Sequence, residues 1–183
     1  MYAIEGALAL GCQAIEIDVR VLADGALAVI HNATIDSMSS LTGKVADQTA
    51  MNWRSIPIDC SLWFGTAPFP DTTPLLVEDI LRKYGGKVVF FFDVKEVAAI
   101  QPLTDLIVRY GLERSCVVIA ASLAALAIPH TAGIPIAVIG DAVDPIAAAS
   151  AGVQWCDMSA NVTESYVTSM VAAGIKPLVY TLN

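Results

Sequence analysis

The chain has 183 residues and a net charge of −8, and 56% of its residues are hydrophobic while only 15% are charged. This length suits one domain with a substantial core. The acidic balance argues against nucleic acid or an anionic membrane surface as the main partner, and no apolar run is long enough to form a transmembrane segment.

Short apolar segments alternate with helical ones along most of the chain. We predict a helix over 1–10, strands at 13–19, 87–94, 116–120, 135–139, 153–157 and 176–181, and helices at 76–84, 97–110, 121–128, 144–151 and 163–173. Continuous apolar strands are typical of a parallel sheet covered by helices, so we expect an α/β fold. A doubly wound sheet and a TIM barrel both fit this pattern, and both place their chemistry at the C-terminal ends of the strands.

Residues 32–75 interrupt this alternation with a long stretch rich in turn-forming residues. A connection of this length inside a compact domain is commonly functional or forms a small insertion. Its aromatic residues, which include Trp53, Trp63, Phe64 and Phe69, could contact a ligand, but we expect them to form the insertion's own small core.

The first predicted strand carries two carboxylates, Glu16 and Asp18, among apolar residues that indicate burial. Side chains two positions apart on a strand point to the same face. Two ionised carboxylates that lie close together in a dry setting need a cation or a shared proton, and a divalent metal with oxygen ligands satisfies them most economically. Because Glu-x-Asp is a weak motif, a purely structural role is equally open at this point.

The pair Asp24-Gly25 follows this strand and signals a tight reversal of the chain. If these are the two loop residues of a hairpin, Asp18 lies opposite His31, and the imidazole returns to the carboxylates. Metal-binding carboxylates beside a titratable histidine make half of a hydrolytic site. A histidine after an apolar run is also often structural, so this stretch alone leaves both interpretations open.

A second charged group lies at the end of the strand at 87–94, where Asp93 and Lys95 share one face. They could form a single buried salt bridge, but side chains that point the same way along one strand pair poorly. We therefore expect a metal at Asp93 and an anion at Lys95, which predicts a phosphate held by a divalent cation and an ammonium. A Schiff-base lyase that uses Lys95 is a third possibility, which the neighbouring acids oppose by raising the lysine pKa.

Taken together, these stretches resemble the glycerophosphodiester phosphodiesterase family, which consists of metal-dependent enzymes among the phospholipase-C-like TIM barrels. Residues 11–19 match its G-x-x-x-I-E-x-D-V strand, and residues 92–95 match its I-E-I-K strand. Further matches lie at 22–31, 41–45, 58–65, 73–81 and 179–183. No single piece is specific, but their order along essentially the whole chain is.

The resemblance implies hydrolysis of glycerophosphodiesters, a reaction of lipid metabolism with a small-molecule substrate. The implied ligands of a divalent metal, Ca²⁺ or Mg²⁺ in the family, are Glu16, Asp18 and Asp93. His31 would be one of two catalytic histidines, and Lys95 would contact the phosphate. Tyr180 stands at a tryptophan of the family and would contact the substrate.

Departures from the family pattern lower the expected activity. The family begins with a strand that ends in His-Arg-Gly and supplies the other catalytic histidine, whereas this chain opens at Met1 in the helix expected after that strand. His130 lies in a later helix and cannot replace it. Asp93 stands at a family glutamate, as in the related sphingomyelinase D branch, which is compatible with metal binding. We expect impaired turnover, with an inactive metal- or phosphate-binding barrel remnant or an interaction domain as the alternative.

The family also continues beyond the strand that here reaches Asn183. We therefore expect an incomplete TIM barrel with about six of eight strands, the first and last missing, as a single domain over 1–183 with the insertion at about 32–75. Open edges at 13–19 and 176–181 would then favour association. No signal peptide is present at Met1, and with the family's first strand absent the localisation stays unassigned, the cytoplasm being the default.

Overall fold

Seven strands form one sheet in the computed structural model, which describes residues 1–59, 61 and 72–180. The strands are β1 Ala14–Val21, β2 Leu27–Val29, β3 Val89–Val94, β4 Cys116–Ala120, β5 Ile136–Ile139, β6 Trp155–Ser159 and β7 Lys176–Tyr180. The helices described are α1 Tyr2–Ala9, α2 Ala50–Trp53, α3 Val77–Tyr84, α4 Ile100–Arg109, α5 Leu123–Thr131, α6 Pro145–Ser150 and α7 Glu164–Ala172.

The strand order across the sheet is β2-β1-β3-β4-β5-β6-β7, and every neighbouring pair is parallel except β1 with β2. Apart from β2, chain order and spatial order coincide without a reversal, which is the topology of a TIM barrel and not of a doubly wound sheet. Residues of β1 and β7 line one cavity, so the sheet curls, but no ladder joins these two strands within the described ranges. The prediction of an incomplete α/β barrel is confirmed.

All six predicted parallel strands are present, with bounds that differ by at most two residues from those expected. The seventh strand is β2, which pairs with residues 19–21 of β1. The predicted open edge at 13–19 is therefore partly covered, and β2 and β7 are the outermost strands of the described sheet. Association through these edges stays a prediction.

The hairpin of β1 and β2 has a different register from the predicted one. Val19 lies opposite Val29, and the Ile30 amide donates a hydrogen bond to the carbonyl oxygen of Asp18 at 3.2 Å. Asp18 is therefore level with Ile30 and not with His31. The reason is a three-residue loop, 23–25, that ends in Gly25 with φ of +83°, a left-handed conformation that glycine adopts without strain.

Apolar side chains pack on both faces of the sheet. The outer face is covered by helices and includes the fully buried rings of Phe90 and Phe92. The inner face holds a smaller cluster in which the rings of Phe91 and Trp155 meet edge to face, with centroids 5.6 Å apart. Successive residues of a strand alternate between its two faces. Asp93, two positions after Phe91 on β3, therefore also points into the barrel.

The insertion forms its own apolar cluster, as predicted for Trp53. This side chain is fully buried with Ile35, Val45 and Ile56, and its indole nitrogen donates a hydrogen bond to the Leu75 carbonyl oxygen at 3.0 Å. Trp63, Phe64 and Phe69 lie outside the described residues, so the full extent of the insertion and the single-domain assignment stay predictions. No helix in the described part of the chain combines the length and apolar character needed to cross a membrane.

Candidate active site

A cavity of about 770 Å³ opens among the ends of the strands on the inner face of the sheet. Its polar and titratable lining residues are Glu16, Asp18, His31, Asp93, Lys95, Asp157 and Tyr180. Its apolar lining residues are Ala14, Phe91, Ile119, Ile139, Leu178 and Val179. The structure thus brings all six sequence-predicted site residues into one cavity and adds Asp157.

Three carboxylates meet on β1 and β3 because these strands are parallel neighbours. Asp18 lies level with Asp93 in the ladder, and Glu16 is two positions earlier on the same face as Asp18. One oxygen from each of the three side chains lies within 4.8 Å of the other two. Such a group of hard oxygen donors is compatible with a divalent cation.

These carboxylates differ in burial, and Glu16 is more exposed than the sequence indicated. Asp93 is buried, Asp18 is half-buried and Glu16 is exposed. The reason is that β2 pairs only with residues 19–21, so the first half of β1 has no second neighbouring strand within the described ranges. Glu16 therefore lies on the open side of the barrel.

Lys95 binds directly to two of the acids. Its ammonium donates a hydrogen bond to Asp93 Oδ2 at 2.5 Å and lies 2.7 Å from Asp18 Oδ1. The expectation that Asp93 and Lys95 do not pair is wrong, because β3 ends at Val94 and the lysine side chain leaves the strand geometry to fold back between the carboxylates. Burial by itself lowers the pKa of Lys95, but the hydrogen bonds to Asp18 and Asp93 outweigh it and raise this pKa. Lys95 is therefore an ammonium and a poor Schiff-base nucleophile.

Glu16 has the most strongly raised pKa of the carboxyl groups in this cavity, because its carboxyl faces the cavity even though the rest of the residue is open to solvent. Desolvation of its carboxyl, followed by repulsion from Asp18 and Asp93, raises the pKa of Glu16 to about 7. Lys95 opposes this shift without cancelling it. The site therefore holds more negative charge than its own ammonium can neutralise.

His31 stands at the rim of the cavity, held by its backbone. Its carbonyl oxygen accepts a hydrogen bond from Arg20 Nε at 2.9 Å, and Arg20 in turn lies 3.7 Å from Glu96. The exposed imidazole places Nδ1 3.0 Å from Asn32 Oδ1. When Nδ1 donates to this amide oxygen, the lone pair of the neutral ring is on Nε2, as a general base requires.

Asp157 is the lining residue that sequence reasoning missed, although it is the last residue of a predicted strand. It lies on β6, level with Ile139 of β5 and Leu178 of β7. Burial, followed by repulsion from Asp93, raises the pKa of Asp157. A polar residue at the C-terminal end of a parallel strand was the available signal. His130, in contrast, lies in the last turn of α5 beside Gly152 and is not among the lining residues.

The fold is similar to that of several solved phosphodiesterases. A phosphodiesterase from Oleispira antarctica, solved in complex with the product sn-glycerol-3-phosphate, is 16% identical with a TM-score of 0.82, and the match covers 100% of this chain and 78% of that chain. The glycerophosphodiester phosphodiesterase of Agrobacterium tumefaciens is 19% identical with a TM-score of 0.80, with 100% and 80% covered. That of Thermotoga maritima is 17% identical with a TM-score of 0.77, with 100% and 78% covered.

These similarities concern the fold, and a sequence profile identifies the family. A search of curated protein sequences gave no significant match. The profile of the glycerophosphoryl diester phosphodiesterase family matches residues 1–118, which include β1 to β3 and with them the three carboxylates, His31 and Lys95. Because this match extends over more than half of the sequence, the chain belongs to the glycerophosphoryl diester phosphodiesterase family.

Proposed function

We propose that this cavity hydrolyses glycerophosphodiesters with the help of a divalent cation, Ca²⁺ or Mg²⁺, as a step of lipid metabolism. The observation that carries the proposal is the convergence of three carboxylate oxygens within 4.8 Å of one another, beside an ammonium and an imidazole in one cavity. The family match supports the reaction, and the product-bound Oleispira antarctica relative supports a small phosphorylated glycerol as ligand.

The residues present fit a divalent cation. Lys95 uses Asp18 Oδ1 and Asp93 Oδ2, and the second oxygen of each carboxylate has no hydrogen-bond partner within the described ranges. Ionised Glu16 adds a third donor, and a cation bound there would offset the desolvation and the repulsion from Asp18 and Asp93 that raise the pKa of Glu16. When bound, such a cation supplies charge stabilisation at phosphoryl oxygens.

Side chains of the cavity would then bind the phosphate, transfer the proton and contact the substrate. Lys95 can turn from its carboxylates towards a phosphate oxygen, because its flexible ammonium acts as a point charge. His31, with Nε2 facing away from its Asn32 contact, would exchange a proton with the nucleophile or the leaving group. Tyr180, which is 40% exposed at the end of β7, would contact the substrate on the side of the cavity opposite β1.

We further propose that turnover by this 183-residue sequence is slow. The sequence contains two histidines, and only His31 lines the cavity. One positioned proton-transfer group typically contributes about 10²–10⁴-fold to a rate. The same observation favours the second candidate function, binding of metal and phosphodiester without turnover.

Release of sn-glycerol-3-phosphate from glycerophosphocholine, followed with Ca²⁺, with Mg²⁺ and with a chelator, tests the proposal. We expect slow release that needs a cation and is lost in Asp93→Asn. The control variant Asp105→Asn, which changes an exposed residue on α4, should release product at the wild-type rate. Added free imidazole should raise the rate, because it can supply the second proton-transfer group. Release that persists in the chelator would contradict metal dependence, and cation and phosphodiester binding without any release would favour the second candidate.

A further inference from the structure

Asp157 is separated from the metal-binding acids, and nothing in the proposed hydrolysis uses it. It lies on β6, three strands away from Asp93 on β3. Its carboxylate is not part of the group of three whose oxygens lie within 4.8 Å of one another. Within the described ranges its side chain has neither a hydrogen bond nor an ion pair, while its backbone lies in the sheet between β5 and β7 and its carbonyl oxygen accepts a hydrogen bond from the Gly140 amide at 2.9 Å.

The surroundings of Asp157 are apolar and aromatic. The residues level with it on the neighbouring strands are Ile139 and Leu178. Tyr180 follows Leu178 by two positions and so points to the same face, nearer the cavity mouth. Lys176, the one cationic residue of β7, lies over the Trp155 ring with Nζ 5.5 Å from its centroid and does not line the cavity.

The charge of the cavity makes this fourth acid unfavourable for an ordinary phosphodiester. Four carboxylates line the cavity, and Lys95 is the only lysine or arginine among its described lining residues. A bound divalent cation would leave a net negative charge, to which the phosphodiester adds another. A carboxylate in this position is therefore stabilised when the substrate brings a positive charge of its own to it.

We infer that the β5–β7 side of the cavity, formed by Ile139, Asp157, Leu178 and Tyr180, binds a cationic head group of the substrate, specifically a quaternary ammonium. This inference rests on the proposed function. A quaternary ammonium cannot donate an N–H hydrogen bond, so it needs a counter-charge together with apolar or aromatic walls for its methyl groups, and this side of the cavity offers both. The preferred substrate class is a glycerophosphodiester of a choline-like alcohol.

Two other uses of Asp157 make different predictions. As a hydrogen-bond acceptor for the glycerol hydroxyls, which every glycerophosphodiester carries, it would strengthen the binding of all substrates alike. As a ligand of the cation, it would be required for Ca²⁺ binding itself. Only a head-group contact makes the effect of Asp157 depend on the charge of the leaving alcohol.

The test compares two esters of the same shape on the Ca²⁺-loaded chain by calorimetry, which does not require turnover. One is glycerophosphocholine, and the other is its uncharged isostere, in which carbon replaces the ammonium nitrogen. We expect wild type to bind the choline ester about 10-fold more tightly, and Asp157→Asn to lose this preference while it binds the isostere at least as well as wild type. Asp105→Asn removes the same charge from the exposed face of α4 and should keep the preference.

The outcomes separate the two proposals. Equal binding of both esters by wild type, or the same loss for both in Asp157→Asn, would overturn this inference and leave the hydrolase proposal standing. Loss of Ca²⁺ binding in Asp157→Asn would make the residue a metal ligand and also overturn it. Absence of binding of either ester to Ca²⁺-loaded wild type would contradict the proposed function together with the inference.

Discussion

The Lys95 ammonium donates a hydrogen bond to Asp93 across the end of one strand, with 2.5 Å between Nζ and Oδ2. Asp18 completes the contact from the neighbouring strand, with Oδ1 at 2.7 Å. An internal cation thus stabilises two of three converging acids. In the proposed reaction, the substrate phosphate would compete with Asp18 and Asp93 for this ammonium, so phosphate binding and the charge of the site would be coupled at Lys95.

Replacing Lys95 should separate phosphate binding from metal binding. In Lys95→Met we expect sn-glycerol-3-phosphate to bind about 10-fold more weakly, because an ion contact to the phosphate is lost, while Ca²⁺ binding is retained. Calorimetry with each ligand measures both effects, and Lys44→Met, a change of an exposed lysine in the insertion, is the control. A covalent adduct on Lys95 after borohydride treatment with a carbonyl compound would instead indicate a Schiff-base enzyme.

Glu16 should make the stability of the metal-free chain depend on pH. Its pKa is raised from 4.5 to about 7 in the folded state, so the folded chain binds the proton more tightly than the unfolded chain. The corresponding stability is fully present below pH 4.5 and is lost as the pH rises to about 7. Melting temperatures in a chelator should fall less over this range for Glu16→Gln than for wild type. Parallel curves for the two proteins would show that Glu16 titrates normally.

The same shift predicts that Ca²⁺ binding releases protons near neutral pH. Metal ligands must be deprotonated, so affinity should increase as the pH rises through the Glu16 pKa of about 7 and level off above it. Titrations in two buffers of different ionisation enthalpy at pH 6.5 and at pH 8.5 measure the proton release. A release that does not decrease at the higher pH would be inconsistent with this role of Glu16.

Arg20 should position His31 without touching the substrate. Its Nε holds the His31 carbonyl oxygen at 2.9 Å. In Arg20→Gln we expect about 1 kcal/mol lower unfolding free energy from the lost hydrogen bond and about 10-fold lower kcat from a displaced imidazole, with KM little changed. Arg114→Gln, on the surface before β4, is the control. An unchanged kcat with the same loss of stability would make the contact purely structural.

The sequence predicted most of the sheet and of the cavity, because both follow from periodicity. Alternation along strands placed Glu16 with Asp18, and the rule that parallel strands present their chemistry at their C-terminal ends placed Asp93 with them. Three features did not follow from periodicity. The hairpin register depended on a three-residue loop that ends at Gly25, and the Lys95 contact depended on where β3 ends. Asp157 was missed because no second charged residue lies next to it in the sequence.

Calorimetry with Ca²⁺ and Mg²⁺, on wild type and on the variant with Glu16, Asp18 and Asp93 all changed to alanine, shows whether these three carboxylates form one cation site. Metal binding to the folded state should also raise the melting temperature of wild type and not that of the variant. We expect one bound cation per wild-type chain and none in the variant, with both proteins folded by circular dichroism. Unchanged Ca²⁺ and Mg²⁺ binding in the folded variant would show that these carboxylates do not hold the cation.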